Sequence, residues 1–293
     1  MIQKKEFEII NDFKGKVTNR AIKLNFLKKL TKADIYVSKK TGTLIPGTYY
    51  NKNKNLAVWE KKYKNKIYSS VSEHFSSRHI YILKFFEKNF KIKQKIVADL
   101  GCGDAGLIIL LKKLYNPKKI YGFEASKKNC FANKKKIKDK KIEFINCDIE
   151  SIDENRFKNK FDIIFLTWTL SSCANPLELL KKIFKILKHG GHIVVAESSR
   201  ILVTPKNSIF YYFPKKYNTF LHYPWRFSFN SLSNILTLND LKVVSKNNYK
   251  HNDNLVIVAK KTSFKKHYVF DSYKKIILFF KNWKHFSDRF YNI

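Results

Sequence analysis

The first half of the chain carries the pattern of a nucleotide-binding turn. A short apolar run, Val97–Leu100, contains Asp99 and leads into GCGDAG at residues 101–106, called here the glycine turn, and then into an apolar helix pattern at 107–114. Glycine lets the backbone take positive φ and approach a ligand closely, and the first turn of the following helix presents free N–H groups. The spacing predicts a strand–turn–helix unit that binds a nucleotide.

Acidic residues stand around this turn. Glu124 ends the second strand-like run, 23 residues after Gly101, where an acid can accept hydrogen bonds from both hydroxyls of a ribose. Asp148 follows the third run. Asp99 and Asp104 would repel the pyrophosphate of a dinucleotide, whereas a sulfonium nucleotide has no pyrophosphate. The charges therefore favour a cationic nucleotide over NAD.

The elements that position these residues alternate between strand and helix. Strands are predicted at 96–100, 119–124, 142–146, 161–167 and 191–197, with helices at 105–114, 126–136, 149–157 and 176–187 between them. Such alternation indicates a parallel sheet with right-handed crossovers. The fourth helix is predicted to stop at Lys188–Gly191, where basic residues precede a glycine pair. Two more strands, 241–246 and 255–260, are too close for a crossover helix and are predicted to form an antiparallel hairpin.

Five parallel strands followed by an antiparallel pair resemble the sheet of class I S-adenosylmethionine-dependent methyltransferases. The resemblance covers residues 95–261 and rests on VADLGCGDAG, YGFEAS, INCDIE, FDIIFLTWTLSSCANP and LKHGGHIVVAES in that order. It implies an α/β, Rossmann-like fold with a seven-stranded, mostly parallel sheet and an antiparallel last strand. It also implies methyl transfer with S-adenosyl-L-methionine as cofactor.

The resemblance also places the cofactor. Asp99 lies where similar enzymes organise the methionine end of the cofactor, and Asp148 lies near the adenine amino group. The alternative is that Glu124 and Asp148 are ordinary polar strand ends, and that Trp168 belongs to the core. The residues expected to bind the cofactor are Asp99, Gly101, Cys102, Gly103, Gly106, Glu124, Ala125, Cys147, Asp148, Ile149, Thr167 and Trp168.

The acceptor is expected to contact an aromatic insertion at residues 198–240. The stretch from His222 to Ser228 is similar to the H-x-x-Y-F-S-x-x-S-L segment of sugar C-methyltransferases, but it has one extra residue and no tyrosine at the matching position. The similarity makes His222 the candidate general base, and a hydrogen-bonded lid histidine is the alternative. The candidate acceptor contacts are Tyr211, Tyr212, Arg226 and Glu197.

These features favour a small-molecule acceptor, such as a sugar nucleotide or another cell-envelope intermediate. An RNA or protein methyltransferase is the first alternative, but the residues from Thr167 to Leu170 lack the N/D-P-P-Y/F signature of enzymes that act on flipped bases. A dehydrogenase and a non-catalytic binding protein are the others. Retention of Asp99, Glu124 and Asp148 beside the glycine turn argues against a non-catalytic protein.

The composition limits the class of binding partner and the cellular compartment that we expect. The formal charge is +36, yet six of the 59 basic residues are arginine, and lysine shares A/T-rich codons with the abundant Asn, Ile, Phe and Tyr. Codon bias therefore explains the charge, and no specific nucleic-acid partner is expected. The four cysteines form no C-x-x-C pair, which predicts neither a metal site nor a disulfide framework and favours a reduced, cytoplasmic setting. The sequence has no apolar N-terminal run and no long apolar stretch, so we expect neither a signal peptide nor a membrane-spanning helix.

Regions on either side complete the predicted organisation. Residues 1–94 are predicted to cover the substrate, 95–261 to form the methyltransferase domain, and 262–293 to form a basic, aromatic helical tail. Ile35–Leu44 is placed like the cysteine knuckle of the sugar enzymes but contains no cysteine. The tail is expected to dock on the chain's own surface, and peripheral contact with an anionic membrane is the alternative.

Overall fold

The computed structural model describes residues 12, 20–27, 34–46, 72–198, 201–203, 208–209, 225–248 and 254–291. The candidate residues Tyr211, Tyr212 and His222 lie outside this part of the chain. The described strands are β1 (Ala21–Lys23), β2 (Ile35–Ser38), β3 (Leu44–Pro46), β4 (Ile96–Leu100), β5 (Lys119–Glu124), β6 (Ile142–Asn146), β7 (Phe161–Thr167), β8 (Leu187–Glu197), β9 (Leu241–Lys246) and β10 (Leu255–Lys261). The described α-helices are α1 (Ser72–Glu87), α2 (Gly106–Tyr115), α3 (Lys127–Lys136), α4 (Pro176–Ile186), α5 (Phe229–Leu238) and α6 (Tyr273–Tyr291).

The larger sheet has seven strands in the order β6-β5-β4-β7-β8-β10-β9. The strands from β4 to β8 pair in parallel, and β10 runs antiparallel to both β8 and β9. The prediction of a mostly parallel sheet with a terminal antiparallel hairpin is confirmed. From β4 the strand order runs outward to β5 and β6 on one side and to β7 and β8 on the other, so the carboxyl ends of β4 and β7 mark the switch point at which such sheets bind ligands.

Apolar helix faces cover both sides of this sheet. On one side, α1 and α2 bury Phe86 and Leu111 against Val97 and Phe165 of the central strands. On the other side, the faces of α4 and α5 join a second cluster that includes Leu166. These strands are buried on both faces, which explains why they read as continuous apolar runs in the sequence.

The predicted helix at 149–157 is wrong. The chain forms a single 3-10 turn, Ile149–Ser151, capped by the Asp148 side chain, which accepts a hydrogen bond from the Glu150 N–H. The Asp153 carboxylate then accepts hydrogen bonds from the N–H groups of residues 155 and 156, which replaces the helical pattern with a side-chain turn.

The predicted glycine stop after α4 is also wrong. Leu187 leaves the helix in extended conformation and pairs at once with Phe161 as the first residue of β8. The pairing register shifts before His192, so the intervening residues form an irregular segment in which Gly190 has φ 74°. A Cβ on Gly191 would lie 2.9 Å from the Lys188 carbonyl oxygen. The glycines therefore permit an irregularity at the start of a strand.

A second, three-stranded antiparallel sheet forms from β1, β2 and β3. Its apolar side chains, including Val37, pack in one cluster with Ile276, Phe280 and Trp283 of α6, which are at most 1% exposed. The first part of the tail's apolar face therefore lies against the chain's own N-terminal sheet, whereas Phe286 and Phe290 farther along α6 are exposed. None of the helices in the described part is long and apolar enough to cross a membrane.

Asp271 joins this small sheet to the large one. Its side chain contacts the hydroxyl of Ser228, the N-cap of α5, and accepts a hydrogen bond from Asn230 Nδ2 at 2.8 Å. Its backbone N–H donates to the Thr41 carbonyl at 3.3 Å, and a Cβ on Gly42 would lie only 2.6 Å from the Asp271 carbonyl oxygen. The β2–β3 turn is thus held against the start of α5.

Candidate active site

The glycine turn wraps over the end of β5. Gly101 has φ 82° and Gly103 has φ 54°, and the N–H groups of Gly101 and Cys102 both donate to the Phe123 carbonyl at 2.9 Å. A Cβ on Gly101 would lie 2.8 Å from the Thr169 side chain. The turn therefore needs glycine at 101 both for its backbone conformation and for the close approach of the chain that follows β7.

Asp99 lies directly beneath this turn. It is 1% exposed, and its Oδ1 accepts no hydrogen bond from any described residue. Burial, together with the nearby acids Glu124 and Asp104, raises the pKa of Asp99 to about 8. A buried carboxyl without a partner is costly, and a cationic group that reached it would relieve this cost by pairing with its ionised form.

Glu124 is the last residue of β5, and Asp148 follows the end of β6. The Glu124 carboxylate accepts hydrogen bonds from the N–H groups of Gly103 at 2.9 Å and Ser126 at 2.8 Å, so it ties β5 to the glycine turn. Burial raises the pKa of Glu124, against the effect of these two bonds. Cys147 donates its N–H to the Glu124 carbonyl at 3.0 Å, which brings Asp148 to the same edge of the sheet.

A roof of three side chains covers the turn from the side of α1. Trp168, with φ 54°, leaves the end of β7 and packs on the His79 ring with a centroid distance of 5.3 Å. The Arg78 guanidinium lies 5.7 Å from the centroid of the Trp168 ring. A Cβ on Gly106 would lie 3.4 Å from the His79 imidazole, so the histidine sits at the start of α2. Burial lowers the pKa of His79 to about 4, and this imidazole is therefore neutral at pH 7.

Glu197, at the end of β8, is a third buried acid of this edge. It is 2% exposed, and its carboxylate accepts hydrogen bonds from the N–H and the hydroxyl of Ser171 at 3.0 and 2.7 Å. Burial raises the pKa of Glu197 to about 7, while the Ser171 bonds and the charge of Arg226 oppose this rise. This acid therefore clamps the loop after β7 to the end of β8.

The segment that follows the aromatic insertion returns to the same loop. Trp225 is 4% exposed, and its indole Nε1 donates to the Cys173 carbonyl at 3.0 Å. Its N–H donates to the Ser171 carbonyl at 3.3 Å. Trp225 is therefore part of the core, whereas the adjacent Arg226 is partly buried near Glu197.

Most of the predicted site residues meet at this edge of the sheet. The structure brings together the glycine turn, Glu124 and Asp148, Trp168 after β7 and Glu197 at the end of β8, with Thr167 paired to Ala196. Two further residues of the site follow from the sequence: Thr169 closes the fourth strand-like run, and His79 lies on a helix-like run of the kind that covers the cofactor cleft in similar enzymes. Sequence reasoning missed Ser171, because no pattern in the sequence marks it as the partner of Glu197.

Comparisons with known proteins agree with this architecture. The methyltransferase domain family matches residues 91–254. A tRNA U34 carboxymethyltransferase of Helicobacter acinonychis (strain Sheeba) is 34% identical over 108 residues, which is 36% of this chain and 40% of that relative. A demethylmenaquinone methyltransferase of Geobacillus sp. (strain WCH70) is 25% identical over 53% of this chain and 68% of its own length.

Solved structures show the same fold at low sequence identity. A methyltransferase bound to the Haloferax volcanii Trm112 methyltransferase activator superposes with TM-score 0.52 at 14% identity, over 66% of this chain and 95% of that one. An S-adenosylmethionine-dependent methyltransferase of Aquifex aeolicus gives 0.50 at 16% identity, over 69% of this chain and 98% of that one. The family match shows that the chain belongs to the methyltransferase domain family, and the sheet order shows that it has the class I methyltransferase fold.

Proposed function

We propose that this enzyme transfers a methyl group from S-adenosylmethionine to a small-molecule acceptor, of which a sugar nucleotide or another cell-envelope intermediate is the expected class. The observation that supports a small acceptor is the covered strand edge. His79 of α1 packs on Trp168 after β7, and the Trp225 indole donates to the Cys173 carbonyl in the loop after β7, so both segments lie against this edge of the sheet. A site covered in this way suits a small molecule better than a folded RNA or protein.

The buried acids fit the cofactor. S-adenosylmethionine supplies an electrophilic methyl group on a sulfonium and carries an ammonium on its methionine part. Asp99 would accept the ammonium, since its Oδ1 lacks a partner among the described residues. Glu124 would face the ribose hydroxyls, and Asp148, with its neighbours Cys147 and Ile149, would lie at the base. Gly101 and Gly103, both at positive φ, would keep side chains away from the face of the turn on which the nucleotide lies.

On the acceptor side the chain's own residues would position a nucleophile and exclude water. Trp168 would roof the methyl group, and Arg226 and Glu197 would contact the acceptor. A general base is required only if the acceptor must lose a proton. His222 stays the candidate for that role, with Tyr211 and Tyr212 as further acceptor contacts, and all three lie outside the described residues.

RNA is the second candidate acceptor, and one observation favours it. The relatives that are 34% identical over 108 residues are tRNA enzymes by name. The matching segment spans 40% of the first of them, which leaves most of that relative unmatched. A strongly basic chain would also attract RNA without specificity.

Two measurements test the proposed function. Calorimetric titration is expected to give micromolar binding of S-adenosylmethionine and no binding of NAD. Release of S-adenosylhomocysteine is then measured with a panel of nucleotide sugars and, separately, with bulk tRNA. Turnover with a nucleotide sugar alone would support the proposal. Turnover with tRNA alone would show that the acceptor is RNA and not a small molecule, and it would leave the cofactor assignment intact.

A pair of glycine variants tests the cofactor site. Gly101→Arg is expected to abolish S-adenosylmethionine binding, because the new side chain would meet Thr169 and the space beneath the turn. Gly190→Arg is the control: Gly190 also has positive φ, but its Cβ would lie 3.9 Å from its nearest neighbour, far from the strand edge. Unchanged cofactor affinity in a folded Gly101→Arg protein would refute the site assignment.

A further inference from the structure

Arginine is the rare cation of this chain. Six arginines stand among 59 basic residues, and A/T-rich codon usage supplies lysine wherever a positive charge alone suffices. Arginine adds a planar fork of N–H donors that matches the oxygens of phosphate and carboxylate groups two at a time. The places at which the chain keeps arginine are therefore informative about anion recognition.

The environments of the arginines divide them into two groups. Arg20, Arg156 and Arg289 are exposed, whereas Arg78 and Arg226 are partly buried. The sixth arginine, at position 200, lies outside the described residues. Among the arginines that the structure describes, the two partly buried ones are those at the carboxyl edge of the large sheet.

Strand pairing brings these two guanidinium groups to adjacent strand ends. Arg78 covers the Trp168 ring, and the Trp168 N–H donates to the Ala196 carbonyl at 2.7 Å. Arg226 acts on the carboxyl of Glu197, the residue after Ala196. The Glu197 carboxylate is already held by the N–H and hydroxyl of Ser171, so it does not depend on Arg226 for its hydrogen bonds.

The charges of the site are thus segregated. Asp99, Asp104 and Glu124 make the side of the glycine turn acidic, which suits a cofactor with a sulfonium and an ammonium. Arg78 of α1 and Arg226 lie at the ends of β7 and β8, where an acceptor would approach the methyl group, together with the buried carboxyl of Glu197. His79 adds no charge there, because burial keeps its imidazole neutral. Two guanidinium groups against one carboxyl, which Ser171 already holds, make this side net positive and favour an anionic acceptor.

Resting on the proposed function, we propose that the acceptor is a phosphorylated small molecule, and that Arg78 and Arg226 bind its phosphate or diphosphate group. The two arginines would fix the orientation of the acceptor through the phosphate oxygens while the methyl-accepting atom faces the cofactor. They are specificity-determining residues in this proposal and take no part in the transfer of the methyl group itself.

The test uses the full chain saturated with S-adenosylhomocysteine. Inorganic diphosphate and uridine 5′-diphosphate are titrated in separate calorimetric experiments at 0.15 M salt, with Arg78→Lys and Arg226→Lys as variants that keep the charge and lose the fork. Arg289→Lys is the matched control, since the exposed Arg289 also lies 5.7 Å from an aromatic centroid, that of Phe290. We expect saturable binding that weakens about tenfold or more in the first two variants and is unchanged in the control.

Tighter binding of uridine 5′-diphosphate than of inorganic diphosphate would indicate that the acceptor is a nucleoside diphosphate derivative. Equal binding of the two probes would indicate a phosphate group on another carrier. Either result supports the proposal. Three results would overturn it: no saturable binding of either probe, equal weakening in Arg289→Lys, or a loss of tRNA binding in Arg78→Lys with neither diphosphate bound. Failure of the proposed function is visible separately, because a chain that does not bind S-adenosylhomocysteine fails before any diphosphate is added.

Discussion

Asp99 shows how a buried carboxyl can be kept ready for a cation. The glycine turn above it and the acids Glu124 and Asp104 beside it all disfavour its charged form. The protein therefore holds this side chain as a neutral acid at pH 7, below its raised pKa. A ligand that carries an ammonium reverses the balance, since opposite charge favours ionisation. We therefore expect cofactor binding and proton release to be coupled at this residue.

We expect S-adenosylmethionine to displace close to one proton at pH 7. Because the pKa of free Asp99 is raised to about 8, affinity should rise with pH up to about that value and the released proton should disappear above it. Calorimetry in buffers of different ionisation enthalpy measures the number of protons released on binding. Asp99→Asn should remove the proton release and weaken binding about 10- to 100-fold.

Asp104→Asn serves as the control for this experiment. Asp104 lies on the same turn but is exposed, and its Oδ1 accepts the Gly106 N–H at 3.1 Å. Asparagine keeps an acceptor oxygen for that bond. Proton release should therefore persist in Asp104→Asn, and its persistence in Asp99→Asn would show that another group titrates.

Helix α6 stabilises a sheet that lies far from it in sequence. Trp283 is 1% exposed and stacks with Phe280 at 6.2 Å between ring centroids, against the side chains of β2. A small sheet of short strands gains its stability from an apolar face packed against another element, such as a helix. Ile276, Phe280 and Trp283 of the apolar stripe supply that partner, although the stripe read from the sequence alone is also compatible with a membrane surface.

Trp283→Ala should destabilise the small sheet by about 3–5 kcal/mol and leave the large sheet folded. Hydrogen exchange is expected to quicken in β2 and β3 while β4 and β7 keep their protection. Phe290→Ala, on the same helix but at a side chain that is 64% exposed, should change stability by less than about 0.5 kcal/mol. Equal loss of protection in both sheets would mean that they unfold as one unit.

The elements that the sequence predicted correctly are those whose signal is local. The strands from β4 to β7 have the predicted bounds because each is a compact apolar run between turn residues. The helix expected at 149–157 failed since the side chains of Asp148 and Asp153 compete for the backbone N–H groups. The clamp between Glu197 and Ser171 joins residues 26 apart in the chain, and no periodicity encodes it.

At the scale of the whole molecule, the net charge of +36 surrounds an acidic cofactor pocket. Lysines dominate the surface: on α3, Lys127, Lys128 and Lys134 are all exposed. Such a field attracts any polyanion and speeds the approach of anionic small molecules. It does not by itself define an interface, because lysine charges spread over a surface provide no fixed geometry.

Binding of bulk tRNA should therefore be non-specific and strongly dependent on salt. We expect its affinity to fall by about 10³ or more between 50 and 200 mM salt, and heparin to compete equally well. The affinity for S-adenosylmethionine should change less than about twofold over the same range, because its site is buried and screened little by ions. A tRNA that stayed bound at 0.5 M salt would indicate a dedicated RNA surface.

The packing of β2 against α6 has a consequence for how the chain folds while it is being synthesised. The apolar side chains of β1–β3 emerge early, but their partners Ile276, Phe280 and Trp283 are made more than two hundred residues later. At bacterial elongation rates this delay is on the order of ten to fifty seconds. The large sheet can fold in that interval, while the nascent N-terminal strands stay uncovered. Chaperones that bind exposed apolar segments would therefore meet this chain first at its N-terminal strands.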